Sequence, residues 1–96
     1  MDALIEQVLN DLRGRGFKII EMIEDELFLA EKGERYLFYV MTEGIEVPLR
    51  KLYRVLNMGE SISTPVVLAL VSNDGTITYY FAHKLRLPRN IHAQAT

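Results

Sequence analysis

The spacing of hydrophobic and polar residues predicts two helices in this chain. Leu4, Val8 and Leu12 lie four residues apart and form one apolar stripe, which predicts a first helix that is capped by Asp2 and ends after Arg13. A second stripe, at spacings i, i+3, i+4 and i+7, predicts another helix with Pro48 as its first residue and an end at residues 57–59. The second stripe consists of Leu49, Leu52, Tyr53 and Leu56.

Runs of apolar and β-branched residues predict strands in the rest of the chain. The runs at 36–41 and 66–71 are apolar without alternation, which is typical of central strands that are covered on both faces. The sequence Ser72-Asn73-Asp74-Gly75 predicts a hairpin turn. The other predicted strands cover residues 17–23, 27–30, 76–81 and, as a short edge strand ended by Pro88, 83–87, with a loop at 31–35.

The resulting order is α-β-β-β-α-β-β in a single domain of 96 residues. The fold class that we predict is α/β, in its mixed α+β form, with a central mixed sheet flanked by a helix on each side. This order resembles the small restriction-endonuclease-like architecture. A topological resemblance of this kind predicts little about function.

Composition and charge narrow the function classes. The chain has no cysteine, which excludes a disulfide scaffold, a thiolate zinc site and a cysteine nucleophile. Its apolar runs are far shorter than the ~20 residues of a membrane span, and no leader pattern opens it, so we expect a cytoplasmic protein. Residues 1–48 carry a net charge of −6 and residues 49–96 carry +4. This asymmetry favours one face for an anionic partner and another for a basic one, although two solvated faces are the simpler interpretation.

The sequence lacks the residues of a metal-dependent nuclease. Active nucleases of this architecture need an acid on the second strand and a Glu-x-Lys on the third, where hard oxygen ligands hold a divalent metal. Asp25 or Glu26 would supply the first acid, but the third strand contains neither an acid nor a lysine. His83 and His92 have no framing Asp or Ser, and no phosphate loop or hydrolase motif is present. We therefore expect no metal site and no cofactor.

Several short motifs occur in an order that points to a family. They are Leu12-Arg13-Gly14-Arg15-Gly16-Phe17, Glu26-Leu27-Phe28-Leu29-Ala30, Tyr36-Leu37-Phe38, Val67-Leu68-Ala69-Leu70-Val71, Asp74-Gly75 and Ile77-Thr78-Tyr79-Tyr80. Over residues 9–80 the chain resembles the C-terminal domain of archaeal tRNA-splicing (tRNA-intron) endonucleases. The final block is the most specific part of this resemblance.

The resemblance implies that this copy is catalytically inactive. The family cuts RNA without metal, with a Tyr as general base on the ribose 2′-hydroxyl, a His as general acid and a Lys that stabilises the pentacoordinate phosphate. These positions fall on Ala30, near Gly33 or Glu34, and near Thr64 or Pro65. The resemblance therefore implies a non-catalytic structural subunit, which assembles with a catalytic subunit, two plus two, and helps to position precursor tRNA.

The same resemblance implies two kinds of binding residue. Basic residues around the second helix are expected to face RNA, with Arg54 as the first candidate and Arg50 and Lys51 beside it. A solvated face of an amphipathic helix is the alternative for these three.

The last strand and its turn are the expected subunit interface. Alternation sends Tyr80 to one face of the sheet and Tyr79 and Phe81 to the other, and we expect one of these faces to pack on the second helix. The other face, which would be exposed to solvent in a monomer, is extended by Leu85 and Leu87 and would form an interface with another subunit. The edge formed by residues 84–87 has unpaired backbone groups and would pair with a strand of the partner. In the family an acidic turn docks into a basic pocket of an opposing subunit, and Asp74 occupies that turn here.

Two other readings stay open at this point. The chain could be a standalone restriction-endonuclease-like protein with an unrelated nucleic-acid-binding role, or a homodimeric protein-interaction domain.

Overall fold

The computed structural model describes residues 3–82 of the chain. Two helices and five strands follow one another in the predicted order α-β-β-β-α-β-β. They are α1 (Ala3–Gly14), β1 (Lys18–Glu24), β2 (Leu27–Lys32), β3 (Glu34–Thr42), α2 (Leu49–Ser61), β4 (Val66–Val71) and β5 (Ile77–Ala82). The edge strand predicted at 83–87, with Leu85 and Leu87, lies outside the described residues.

The strands form one five-stranded sheet in the order β1-β2-β3-β4-β5. The β1–β2, β2–β3 and β4–β5 pairs are antiparallel, while β3 and β4 are parallel and are joined by α2. The sheet is therefore mixed, with a helix on each face, and the predicted fold class is confirmed. The connection from β3 to β4 needs a crossover because the two strands run in the same direction.

Alternation along β3 divides the core into two clusters. Phe38 and Val40 point to the α1 face, whereas Leu37 and Tyr39 point to the α2 face, and all four are buried. The apolar run at 36–41 thus belongs to a central strand with both faces covered, as its composition predicted.

Helix α1 covers one face largely as the sequence predicted. Val8 and Leu12 of the predicted stripe are buried with Ile5 and Leu9 in one cluster with residues of β2, β3 and β4, and Leu4 is partly buried beside them. Phe28 and Phe38 stack beneath the helix with their ring centroids 5.4 Å apart. The four-residue spacing of the stripe places these side chains on the side of the helix that meets the sheet.

Helix α2 buries only part of the predicted stripe. Leu52 and Leu56 pack against the core cluster on this face, together with the buried Val55 and Gly59, whereas Leu49 is 65% exposed and Tyr53 is 36% exposed. The helix is therefore rotated so that one edge of the predicted stripe faces solvent. Periodicity predicted the helix correctly, but contacts with the sheet determine which side of the helix is buried.

Two predicted boundaries are also wrong. Residues 31–35 are not a loop, because β2 and β3 pair as far as Lys32 and Glu34 and only Gly33 turns between them, at φ 73°. Helix α2 does not end at 57–59 but continues to Ser61. Gly59 therefore lies within the helix. Only glycine fits at this position, because a side chain there would collide with Val66 and with the carbonyl oxygen of Thr64.

Candidate functional site

The three positions at which the family resemblance expects catalytic groups lie at the same end of the sheet. Ala30 pairs with Tyr36 near the end of β2, and Gly33 forms the adjoining turn. Pro65 lies across from them, since its carbonyl oxygen accepts a hydrogen bond from the backbone N–H of Leu37 at 2.9 Å. The fold thus gathers the three positions, although they are far apart in the sequence.

Ala30, Gly33 and Thr64 themselves provide little acid–base chemistry. The Ala30 methyl group is fully buried, Gly33 has no side chain, and the Thr64 hydroxyl donates to the carbonyl of Ile62 at 3.1 Å. Glu34 contributes a carboxylate, which accepts a 3.5 Å hydrogen bond from the hydroxyl of Tyr36.

The candidate RNA-binding residues on α2 are mostly engaged with carboxylates. Arg54 donates to both oxygens of Glu24, at 2.6 and 2.8 Å, and Lys51 forms an ion pair with Glu26. The guanidinium of Arg54 lowers the pKa of Glu24, and the hydrogen bond to Glu26 raises the pKa of Lys51. Arg50 is exposed and has no ion-pair partner among residues 3–82.

Sequence reasoning missed these ion pairs. Glu24 and Glu26 belong to the turn region between β1 and β2, 25 to 30 positions before their partners on α2. No local signal in the sequence identifies a contact at that separation. The pairs hold the Lys51 side of α2 over the β1–β2 turn.

A cleft of about 860 Å³ lies beside the same ion pairs. Its lining combines apolar side chains with Glu24, Asp25, Glu26, Glu46 and Lys51. Across residues 3–82, no cluster of three or more His, Asp or Glu side chains is arranged to hold a metal ion.

The aromatic residues of β5 separate to the two faces as predicted. Tyr79 is half-buried and its hydroxyl donates to Asp11 on α1 at 2.6 Å. Phe81, on the same face, is 64% exposed, and Tyr80, on the α2 face, is 51% exposed. Tyr79 thus joins β5 to α1, whereas on the other face Ala82 of β5 packs against the cluster that contains Val55 of α2.

The contact between Tyr79 and Asp11 is reinforced by Arg15. Its Nε donates to the same carboxylate oxygen at 2.8 Å, and its guanidinium lies 5.3 Å from the centre of the Tyr79 ring. The hydrogen bonds from Tyr79 and Arg15 lower the pKa of Asp11, while burial and this carboxylate raise the pKa of Tyr79. The cluster fastens β5 to α1 at the C-terminal end of the helix.

The two edges of the sheet differ. The pairing of β1 with β2 is interrupted twice by register shifts, whereas β5 pairs with β4 without interruption over six residues. β1 also carries charged side chains, while β5 has none in its sequence Ile-Thr-Tyr-Tyr-Phe-Ala. Bulges and charges discourage strand addition, so within residues 3–82 β5 is the edge better suited to it.

The turn before β5 presents Asp74 to solvent in a fixed geometry. One of its carboxylate oxygens accepts a 2.9 Å hydrogen bond from the backbone N–H of Thr76, which lowers the pKa of Asp74. Gln7 donates to the carbonyl of Gly75 at 2.9 Å, and Glu43 accepts from the N–H of Asn73 at 2.8 Å. The exposed carboxylate is therefore charged at neutral pH and held by a tethered turn.

Comparison with known proteins agrees with the resemblance found in the sequence. The chain is similar to a tRNA-splicing endonuclease of Methanococcoides burtonii, with 35% identity over 86 residues. The similarity covers 83% of this chain but only 24% of that protein, so the chain spans about a quarter of the length of its relative. No protein-family profile matches the chain.

These findings define the chain, in general terms, as a mixed α+β domain with a helix on each face of its sheet. More particularly, its sequence similarity supports a relationship with the tRNA-splicing endonucleases. Neither helix within residues 3–82 is long and apolar enough to span a membrane.

Proposed function

We propose that this chain is a non-catalytic subunit of a tRNA-splicing endonuclease, which assembles with a catalytic chain to position precursor tRNA. The observation that carries this proposal is the combination of family similarity with the residues at the catalytic positions. Ala30, Gly33 and Thr64 supply neither a base, nor an acid, nor a cation at the end of the sheet where the family resemblance expects them. Without such groups, proton transfer and phosphate stabilisation would have to come from another chain.

An open apolar surface on the α2 face supports the assembly part of the proposal. Helix α2 meets β4 at Gly59 and Val66 and reaches the β1–β2 turn through Lys51 and Arg54, but the surface farther along β4 and β5 is incompletely covered. Leu68 and Leu70 are half-buried there, and Tyr80 is largely exposed. Leu49 and Tyr53 lie on the flank of α2 opposite Lys51, and both are exposed. An apolar surface of this kind, beside an unprotected strand edge, suits a second folded chain.

Catalytic silence is tested with the purified chain and a precursor tRNA. We expect no cleavage with or without a chelator. Cleavage should appear only when a catalytic endonuclease chain from the same organism, one that retains the Tyr, His and Lys, is added. Metal-independent cleavage by the pure chain, yielding 2′,3′-cyclic phosphate ends, would overturn the proposal. Mg²⁺-dependent cleavage of DNA would instead favour a standalone restriction-endonuclease-like enzyme.

Assembly is tested by capture of that catalytic chain on an immobilised form of this one. We expect Tyr80→Lys to weaken capture at least tenfold, because it places a charge in the apolar surface and at the open edge. Glu21→Lys is the matched control, since it introduces the same side chain at an exposed position of the other edge strand. Equal capture by the two variants would contradict an interface at β5, and a wild-type chain that captures nothing and is monomeric at tens of micromolar would contradict assembly altogether.

The role of the Asp74 charge is tested separately. Asp74→Asn retains an oxygen that can accept from the N–H of Thr76, so the turn should keep its shape while losing the charge. We expect weaker capture with an unchanged unfolding midpoint. Unchanged capture would show that the turn does not dock through its charge.

A further inference from the structure

An aromatic row crosses the end of the sheet on the α1 face. Phe17 and Tyr36 are in edge contact, with their ring centroids 5.9 Å apart, and Tyr36 and Phe81 follow at 6.1 Å. Phe17 and Tyr36 are partly exposed, and Phe81, at the open edge of the sheet, is 64% exposed. The row therefore becomes more accessible towards β5.

Cations lie at the other end of this row. The ammonium group of Lys32 lies 5.7 Å from the centre of the Phe17 ring and donates to the carbonyl oxygen of Arg15 at 2.6 Å. Lys32 is exposed and has no carboxylate partner among residues 3–82. Its aliphatic carbons pack near Gly16, so the side chain is held in place without its charge being neutralised.

Arg13 and Arg15 extend the positive charge along the end of α1. Arg13 is exposed and donates only to the amide oxygen of Asn10, at 3.3 Å. Two carboxylates contact residues of this surface: Asp11, which is bound by Arg15 and Tyr79, and Glu34, which accepts from Tyr36. Lys32, Arg13 and Arg15 outnumber these two carboxylates, in a half of the chain whose net charge is strongly negative.

We propose that the row formed by Phe81, Tyr36 and Phe17, together with Lys32 and Arg13, binds single-stranded RNA. Unpaired bases would stack on the exposed rings of Phe81 and Tyr36, and the backbone phosphates would contact the cations. Partly exposed aromatic rings on a sheet, flanked by positive charge, are the arrangement by which proteins hold unpaired bases. The choice of RNA over DNA rests on the proposed function.

The charge of this surface favours RNA over a protein partner. The other exposed aromatic residue of β5, Tyr80, points to the opposite face, where its neighbours Leu68 and Leu70 are aliphatic. The two faces of β5 would thus serve two partners, with protein on the Tyr80 side and RNA on the Phe81 side. The catalytic positions Gly33 and Thr64 lie at the same end of the sheet as the row, so RNA bound there would pass close to them.

The experiment measures binding of a fluorescein-labelled 12-nucleotide oligoadenylate to the isolated chain by anisotropy. We expect Phe81→Ala to weaken binding by roughly 5- to 100-fold, the loss of one stacked base, and Phe81→Trp to retain it. Lys32→Gln should reduce the slope of log affinity against log salt by about 0.7, the value for one phosphate contact to a single strand. Tyr80→Ala is the matched control and should bind normally, and a blunt RNA duplex should bind less tightly than the single strand.

Three outcomes would overturn the inference. The first is equal affinity of wild type and Phe81→Ala for the oligonucleotide. The second is an equal loss of affinity for the oligonucleotide in Phe81→Ala and Tyr80→Ala. The third is a Phe81→Ala variant that loses capture of the catalytic chain while binding RNA normally. The last result would assign Phe81 to a protein interface. Because the isolated chain is used, failure to assemble with a catalytic chain leaves this measurement unaffected, so the two proposals fail independently.

Discussion

The two faces of the sheet differ in how completely their helices close them. On the α1 face, the buried cluster extends from the helix across β2, β3 and β4, and two side-chain bonds, Tyr79 to Asp11 and Gln7 to Gly75, join the helix to the last hairpin. On the α2 face, the buried cluster is smaller and the ion pairs of α2 lie at the β1–β2 turn. The α1 face is therefore the more completely closed around its helix, while within residues 3–82 the α2 face leaves Leu68, Leu70 and Tyr80 incompletely covered.

The largest loss of stability on either face should come from a substitution that displaces α2 from β4. Gly59→Ala would place a methyl group against Val66 and 2.9 Å from the carbonyl oxygen of Thr64. Because the backbone at Thr64 would have to shift to relieve this contact, we expect the free energy of unfolding to fall by about 3 kcal/mol. Gly14→Ala is the control, because nothing lies within 4 Å of its added methyl group. Urea unfolding curves with equal midpoints for both variants would contradict the close approach of α2 to β4.

A matched pair of valines compares the closure of the two faces directly. Val8 on α1 and Val55 on α2 are both fully buried, and each change to alanine removes two methyl groups. We expect a loss of about 2 kcal/mol for Val8→Ala and a smaller loss for Val55→Ala. The difference arises because α2, with one open flank, can settle into the vacated space more easily than α1. If chemical denaturation shows a larger loss of stability for Val55→Ala than for Val8→Ala, the α2 face is the more tightly closed of the two.

Removal of one hydroxyl should loosen the closed face by a smaller amount. Tyr79→Phe deletes the hydrogen bond to the charged Asp11, and we expect a loss of about 1.5 kcal/mol at pH 7. Because the pKa of Asp11 lies below its ordinary value of 3.8 in the folded chain, its contribution is present above pH 3.8 and is lost as the pH falls through the lowered pKa. The difference between wild type and variant should therefore shrink in acid.

The dependence of stability on pH in the alkaline range provides a second check on the same variant. The pKa of Tyr79 is raised above its ordinary value of 10.0 in the folded chain. Wild type should therefore lose stability as the pH rises above 10, where the unfolded chain can ionise this phenol. Tyr79→Phe lacks that loss. Parallel pH profiles of thermal unfolding for the two proteins would exclude a role for this pair.

The smallest effect is expected on RNA binding by the cations of α2. Lys51 and Arg54 are held by Glu26 and Glu24, so Lys51→Ala and Arg54→Ala should leave the salt dependence of oligoadenylate binding unchanged. Arg50→Ala tests the neighbouring cation that lacks such a pair. A reduced slope in either of the first two variants would place RNA contacts on α2, as the family resemblance implied.

Local patterns were sufficient to predict the element order and the faces of β5. The turn at Asn73-Asp74-Gly75 and the alternation of Tyr79, Tyr80 and Phe81 depend on neighbouring residues only. The rotation of α2 was not predictable in this way, since its flank, with Leu49 and Tyr53, is as periodic as its buried side. What decides the rotation is contact with Val66 and with two carboxylates distant in the sequence.

The candidate site shows the same limit. The family resemblance implied that Ala30, Gly33 and Thr64 occupy the positions of the family's catalytic groups, and an implication of this kind needs only residue identity. The row formed by Phe17, Tyr36 and Phe81 could not be predicted in this way, since its members come from a loop and two strands that are not neighbours in the sheet. The aromatic residues in a sequence do not reveal which of their rings will be adjacent, because these contacts join distant parts of the chain.

The bond between Asp11 and Tyr79 also has a consequence for the order of folding. Its partners are 68 residues apart, as are Gln7 and Gly75, so the first helix cannot complete its docking until the last hairpin exists. The β1–β2–β3 meander, by contrast, needs only local pairing. Because contacts at long sequence separation form late and slowly, amide hydrogens of the meander should become protected from exchange before those of α1. A folding chain would then pass through a stage in which the helix with the earliest sequence position is among the last elements to be secured.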